Sequence, residues 1–159
     1  GWLVFLVVLY NKAPPWFSFV PNVIGKPAIW SNPENNVTGG MGAPDIAYGA
    51  GYFKLKPGEG LEITGIMPSC VFGNVVLWNR YLQTLDYTQR TISRNRKQMK
   101  LGPNGDYRII VGGKPPDKHK HGYDFDWLDT EGRTGGIVFF RFVLPKGEIV
   151  KPTSNVIQL

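Results

Sequence analysis

The chain is poor in cysteine and in acidic residues. Cys70 is the single cysteine among 159 residues, so an internal disulfide is excluded, and the sequence is compatible with the cytosol and with an exported protein. Twelve acidic residues stand against 18 lysines and arginines, and the resulting net charge of +6 suits an acidic partner, anionic lipid headgroups or nucleic acid. Composition alone does not separate these three classes of partner.

Sequence motifs of catalysis are also missing. No Ser-His-Asp elbow, close carboxylate pair or helical His-x-x-x-His occurs, and the glycine-rich residues 39–42 lack the Lys-Ser/Thr of a phosphate loop. His119, His121, Asp124 and Asp126 carry atoms that bind metals, but the neighbouring lysines oppose a cation and the spacing matches no established metal site. We therefore expect a solvated loop at these residues, and we predict no metal, no cofactor and no catalytic residue.

The N-terminal 44 residues divide into an apolar leader and a proline-rich arm. Residues 1–10 contain nine successive apolar residues, too few for a membrane span of about 20, so a buried strand, the stub of a membrane or signal segment and an interfacial anchor all stay open. Six prolines in residues 11–44 exclude a long helix or a central strand. An arm so rich in aromatic residues should lie on an apolar surface, burying Trp16 and Trp30, and we assign Trp16, Phe17 and Trp30 to partner binding.

Residues 136–145 are the most apolar stretch of the remaining chain. Two interleaved apolar sets alternate along it, which predicts a central strand that is buried on both faces. Arg141 is its only charged residue, and an unpaired charge in such a strand would cost several kcal/mol. Arg141 therefore needs a carboxylate or several carbonyls, and we expect an ion pair with Asp126, Asp129 or Glu131.

The other strands are predicted from alternation and from turn residues. Twenty glycines, 13 prolines and 21 aromatic residues suit short strands that are joined by tight turns. Residues 48–55 and 61–67 are predicted to form a hairpin, residues 75–79 a third strand, and residues 98–101 and 106–111 a pair of strands joined by a turn at residues 102–105. Residues 80–100 favour no regular element.

Residues 90–100 carry the densest run of positive charge. Four of these residues, Arg90, Arg94, Arg96 and Lys97, form the predicted docking patch for an anionic surface or partner, the alternative being a solvated basic face. No aromatic residue is interleaved with them, which argues against nucleic acid. Acidic residues recur between Asp117 and Glu131, and we predict that the fold keeps them apart from the basic run.

Several stretches of the chain resemble a known bacterial family. Asp126-Trp-Leu-Asp-Thr-Glu-Gly-Arg133 and Phe139-Phe-Arg-Phe-Val-Leu-Pro145 carry most of the likeness, and weaker matches extend it over residues 30–145. In these stretches the sequence resembles the domain-of-unknown-function 1214 family, which often follows a second domain of unknown function. The resemblance implies an antiparallel β-sandwich of jelly-roll type and supplies no catalytic residue.

Together these observations predict a mainly β protein with four parts: a leader at residues 1–10, an arm at 11–44, a β-sandwich at 45–150 and a C-terminal tail at 151–159. We interpret it as a non-enzymatic accessory or structural subunit that binds a protein partner in the cell envelope or periplasm, as part of a larger membrane-associated complex, with membrane contact through the leader. The alternative is a jelly-roll domain, part of an enzyme or not, that binds carbohydrate or another small ligand. Trp16, Trp30, Trp78 and Trp127 offer stacking faces for it, although packing explains each of them, and we class Trp78, Trp127 and Arg141 as structural.

Overall fold

The computed structural model describes residue 14, residues 16–29 and residues 43–159, and this part of the chain is mainly β. The leader at residues 1–10 and much of the arm, including Trp30, lie outside the described residues. The described residues form ten strands and one short helix, in chain order β1 (Phe17–Ser18), β2 (Ala28–Ile29), β3 (Ile46–Lys54), β4 (Glu59–Ile66), β5 (Phe72–Trp78), β6 (Ser93–Asn95), β7 (Asp106–Gly112), α1 (Lys118–His121), β8 (Asp126–Asp129), β9 (Gly135–Val143) and β10 (Thr153–Gln158).

The strands form two sheets that pack face to face, so the predicted β-sandwich is confirmed. Sheet A has the order β1-β3-β9-β5-β6, with β2 also paired to β3, and sheet B has the order β10-β4-β7-β8. The long central strands are antiparallel. Both sheets are nevertheless mixed, because β1 runs parallel to β3 and β8 runs parallel to β7.

Strand β9 is the central strand of sheet A, as its double alternation predicts. It pairs along its length with β3 on one side and with β5 on the other. Its inward residues Val138, Phe140 and Phe142 are at most 1% exposed, and on the outer face Ile137 and Phe139 are also buried. Burial of each such side chain stabilises the fold by about 1.5–3 kcal/mol, so this strand anchors the core.

The core between the sheets is made by the inward residues of the strands. Leu61 and Ile63 of β4 face Val111 and Ile109 of β7 in register, and all four are fully buried. Strand β5 extends beyond the predicted residues 75–79, and its Val75 and Leu77 point inward as the alternation predicts.

Two of the predicted strand pairings are wrong. Strands β3 and β4 do not form a hairpin, because β3 belongs to sheet A and β4 to sheet B, so the turn at residues 56–59 crosses between the sheets. The turn at residues 102–105 is present, with the Gly102 amide donating to the Asp106 carbonyl. Residues 98–101, however, form no strand, and β7 pairs with β4 and β8 instead. Alternation indicates that a segment is a strand without specifying its partner.

The expected ion pair of Arg141 is also wrong. None of the described carboxylates lies within ion-pair distance of Arg141. Its guanidinium lies instead over the rings of Phe139 and Trp78, 5.0 and 5.6 Å from their centroids. The side chain points to the outer face near the end of β9, where it is half-buried and partly hydrated, so stacking on the two rings replaces a carboxylate.

Part of the sequence outside residues 45–150 belongs to the sandwich. Residues 151–159, which we separated as a tail, contain β10, and β10 pairs with β4 along its whole length. In the arm, β1 and β2 both pair with β3. Both terminal segments thus add edge strands to the two sheets.

Candidate binding groove

A groove of about 760 Å³ opens at the end of sheet A where β9 begins and β3 and β5 end. Aromatic rings and basic side chains from four separate segments of the chain line it: the arm, β3, the loop after β5, and the start of β9 with the residues that precede it. Its volume lies within the range of ligand-binding clefts, about 300–1,000 Å³. This groove is the candidate functional site.

The arm contributes the rings of Phe17 and Phe19, which pack on each other with centroids 4.9 Å apart. The arm reaches this place because it lies directly against β3, where the Ala50 amide donates to the Trp16 carbonyl at 3.0 Å. Gly51 makes this approach possible, since a Cβ atom there would overlap the carbonyl oxygen of Val23. The close packing of arm and strand therefore fixes one wall of the groove.

A short loop after β5 adds Arg80 and Tyr81 to the groove lining. Asn79 organises this loop, because its Oδ1 accepts from the amides of Tyr81 and Gln83 at 2.8 and 3.1 Å. The Arg80 guanidinium donates to the Tyr81 hydroxyl at 2.8 Å and lies 4.9 Å from the centre of that ring. Tyr81 is nevertheless 56% exposed. The loop thus holds a cation and an aromatic face together beside the groove.

Gly135 and Gly136 form part of the groove lining where β9 begins. A Cβ atom on Gly136 would come within 2.6 Å of the Trp78 carbonyl oxygen and 2.7 Å of the Phe53 ring. Glycine is therefore required at position 136 for β9 to lie between β3 and β5. Gly135 is exposed, and a Cβ atom there would meet only the Phe53 carbonyl oxygen at 3.6 Å, so the groove stays open at this end of the strand.

The charge of the groove has one sign. Its described lining includes Lys54, Arg80 and Arg133 but no acidic residue. Arg133 has a carboxylate neighbour, Glu131, at 3.3 Å, whereas no described carboxylate lies within ion-pair distance of Lys54 or Arg80. Cations in a partly enclosed, largely apolar cleft attract anionic groups more strongly than cations on an open surface.

The structure places Trp16 and Phe17, two of the aromatic residues that we predict to bind a partner, in different surroundings. Trp16 is 6% exposed and packs on Tyr48 and Phe139 of the outer face of sheet A, so its ring supports the fold. Phe17 is half-buried and lines the groove. The predicted role of Trp30 falls on a residue outside the described ranges.

The prediction that the basic run and the following acids are kept apart is wrong. Arg90 pairs with Asp129 at 2.8 Å, and Arg94 pairs with Asp126 at 3.5 Å. Asp126 also accepts from the Lys100 amide at 2.8 Å. Both aspartates are at most 7% exposed, so each has lost much of its hydration and the arginines compensate this loss. Two of the four residues assigned to the docking patch therefore link β6 and its flanks to β8.

The other two residues of the predicted patch differ from each other. The Arg96 guanidinium donates to the carbonyl of Cys70 at 2.9 Å and ties residues 93–96 to the segment before β5. Burial raises the pKa of the Cys70 thiol, although Arg96 acts in the opposite direction, so at neutral pH the thiol stays protonated and is a poor nucleophile. Lys97 is exposed. The docking patch assigned to Arg90, Arg94, Arg96 and Lys97 stays a prediction.

The tryptophans that we classed as structural lie in packing positions. Trp78 stacks on Phe139 with ring centroids 4.3 Å apart. The Trp127 indole donates to the Gly112 carbonyl at 3.0 Å and ties β8 to β7. Among the described residues no group of three or more histidine, cysteine or acidic side chains could hold a metal ion, and no helix in the described ranges is long and apolar enough to cross a membrane.

Comparison with solved structures identifies the fold. An uncharacterized protein from Burkholderia cenocepacia superposes with a TM-score of 0.72 at 26% identity, covering 87% of this chain and 36% of its own. The VPA0106 protein from Vibrio parahaemolyticus superposes with a TM-score of 0.54 at 19% identity, covering 79% and 34% respectively. The chain spans about a third of the length of either neighbour. No protein-family model and no curated protein matches the sequence.

Proposed function

We propose that the protein is a non-enzymatic binding module that holds a segment of a partner protein in the groove. The observation that supports this most directly is the composition of the lining, which includes five aromatic residues and two arginines: Phe17, Phe19, Tyr52, Phe53 and Tyr81 with Arg80 and Arg133. Tyrosine and arginine are enriched among the residues that dominate the binding energy of protein interfaces.

The surface beside the groove supports the same proposal. The loop after β5 exposes Leu82 and Tyr87 as well as Tyr81, with 64% and 73% of their surface accessible. Large apolar side chains on one exposed loop next to an aromatic cleft favour contact with another macromolecule. The length of the neighbours is compatible with this, since in both of them the shared fold makes up about a third of a longer chain.

The proposal also includes a location for the module. We place the module in the cell envelope as an accessory subunit of a membrane-associated assembly, because the sequence of residues 1–10 is apolar enough for contact with a membrane surface. The resemblance to the domain-of-unknown-function 1214 family stays a prediction, and it adds no catalytic residue to this proposal.

A second candidate function is the binding of a carbohydrate or another small ligand. The observation that favours it is the combination of a volume near 760 Å³ with rings in the lining, since sugars stack on exposed aromatic faces and clefts of this size suit small ligands. The tryptophans do not support it, because Trp16 and Trp78 are engaged in ring contacts within sheet A and its covering arm.

Site-specific cross-linking tests the proposed function. The photoreactive residue p-benzoylphenylalanine replaces Tyr81 in one variant and Tyr123 in a control, because the two tyrosines are 56% and 58% exposed and Tyr123 lies outside the groove. After illumination of cells that make the protein natively, we expect a discrete protein adduct from position 81 only. The cross-linked peptide is then sequenced and the purified partner tested for binding to the Tyr52→Ala variant, which should bind more weakly. Equal adducts from both positions, or none from position 81, would contradict the proposal.

A further inference from the structure

We infer that the segment held in the groove is acidic: an extended peptide that places carboxylates beside Lys54 and Arg80 and apolar side chains on the aromatic walls. This inference rests on the proposed function and specifies the chemistry of the partner. It commits to a peptide, and an anionic saccharide becomes an alternative outcome of the test.

The first argument is the pairing of the cations. Elsewhere in the described protein, Arg90, Arg94 and Arg108 each lie within 4 Å of a carboxylate, and their aspartate and glutamate partners are mostly buried. Lys54 and Arg80 have no such described partner although they lie beside a largely apolar cleft. Of the described cations without a carboxylate partner, Lys54 and Arg80 are the two that line the groove, where they are available to an external carboxylate.

The second argument is that the parts of the chain outside the described ranges have little acid to supply. Within the described ranges, five acidic residues form ion pairs: Glu62, Asp126, Asp129, Glu131 and Glu148. Outside the described ranges the sequence contains one acidic residue, Glu34, and residues 1–13 contain none. Charge complementarity thus favours an external segment over the leader as the occupant of the groove.

The third argument separates a peptide from a saccharide. The lining is more apolar than polar, and Phe17 and Phe19 add a purely hydrocarbon wall to it. A segment with apolar side chains between its carboxylates covers such a wall with hydrocarbon, whereas a polyuronate has no apolar side chains and covers it only with the C–H faces of its rings. Tyr52, Tyr81 and Arg80 can then pack against aromatic side chains of the partner as well.

The probe is a labelled synthetic peptide of about seven residues in which glutamate and tyrosine alternate, a length that spans an extended strand. Fluorescence anisotropy measures its affinity for the whole protein, for a Lys54→Ala, Arg80→Ala double variant and for a Lys146→Ala, Lys151→Ala double variant. The control removes the same charge from exposed positions outside the groove lining. A circular dichroism spectrum identical to that of the parent shows that each variant is folded.

We expect the groove variant to bind the peptide about tenfold more weakly, corresponding to about 1.4 kcal/mol, and the control to bind within about twofold of the parent. Equal losses in both variants would indicate a diffuse electrostatic effect and would overturn the inference. Tighter binding of a galacturonate oligosaccharide, lost in the groove variant only, would overturn it in favour of a saccharide.

The cross-linking experiment separates this inference from the proposed function. An adduct from position 81 whose sequenced partner segment is neutral or basic would retain the protein partner and contradict an acidic segment. The absence of that adduct contradicts the proposed function itself, whatever the peptide probe does.

Discussion

The two open sides of the sandwich are closed by different kinds of contact. On the side of β3 and β10 the arm closes the gap with neutral groups: Asn22 exchanges two hydrogen bonds with the backbone of Lys54, and its carbonyl accepts from the Ser154 hydroxyl. On the side of β6 and β8, buried Asp126 and Asp129 receive Arg94 and Arg90. Buried charge thus stabilises the second side, whereas Lys54 and Arg80 in the groove at the end of sheet A have no described carboxylate partner.

This difference explains why a basic net charge does not by itself locate a binding surface. The arginines at positions 90 and 94 belong to the densest basic run in the sequence, yet the fold uses both in ion pairs. Lys54 and Arg80 are single basic residues in their segments, and they lie in the groove without a described carboxylate partner. In the function that we propose, the partner binds where basic side chains lack a carboxylate partner rather than where the sequence is densest in charge.

The largest expected loss of stability comes from disrupting the packing of the arm on β3. In the Gly51→Ala variant the new methyl group would overlap the Val23 carbonyl and displace the arm from β3, and we expect a loss of about 3 kcal/mol in the free energy of unfolding. Urea denaturation measures it. Gly135→Ala is the matched control, because its Cβ would meet only the Phe53 carbonyl oxygen, at 3.6 Å. Equal stability of the two variants would mean that the arm is not tightly packed.

A substitution on the side of β6 and β8 should destabilise the fold almost as much. Asp129 is 7% exposed and accepts from Arg90 and from the Glu131 amide, so Asp129→Ala leaves an arginine and a backbone donor without their partner. We expect a loss of about 2 kcal/mol in the free energy of unfolding, measured by urea denaturation. Asp124→Ala, at an exposed position, should change this free energy by less than about 0.5 kcal/mol. A similar loss in both variants would contradict the structural role of the pair.

A smaller effect separates a structural arginine from one that is available for binding. Arg90→Gln leaves buried Asp129 without its cation, but the Arg90 side chain is 45% exposed and solvent screens the pair, so we expect a loss of only about 1 kcal/mol. Arg80→Gln should leave the unfolding free energy unchanged within about 0.5 kcal/mol. The comparison fails if Arg80→Gln destabilises the protein as much as Arg90→Gln.

The smallest effect concerns the exposed ion pair between Lys26 of the arm and Glu148. A hydrogen bond and the charge of Lys26 lower the pKa of the Glu148 carboxyl. A carboxyl whose pKa is lower in the folded state stabilises the fold above the unfolded pKa, and this contribution is lost as pH falls through the folded pKa. Carboxyl NMR titration should show the Glu148 pKa rising in a Lys26→Met variant and unchanged in Lys151→Met. An unchanged pKa in the first variant would mean that the pair does not persist in solution.

Part of the fold was predictable because the alternation of side chains along a strand shows which of its faces are apolar and therefore buried. Strands β5 and β9 were found in this way, each with two apolar faces that the sandwich and the arm cover. The partners of strands were not predictable, as the β3–β4 hairpin illustrates, since alternation is the same in either sheet. Strand β10 was missed because its exposed edge position requires few apolar residues.

The candidate site was largely beyond prediction from the sequence. Phe17 was assigned to binding, but Tyr52, Lys54 and Arg133 are unremarkable within their own segments and meet only after folding. The adjacent Arg80 and Tyr81 in a short loop after a strand were the one local signal that could have been used. The pairs of Arg90 and Arg94 join residues more than 30 positions apart, which no local pattern reveals.

The most direct test of the contrast between the two sides is an amide chemical-shift map of the isotope-labelled protein with the Glu-Tyr peptide. Our account predicts that the shifts concentrate at the groove, at Lys54, Tyr81, Gly135 and Gly136, and leave residues 90–97 unchanged, because the arginines of the charged side are occupied by Asp126 and Asp129. Chemical-shift changes centred on residues 90–97, with none at the groove residues, would contradict it.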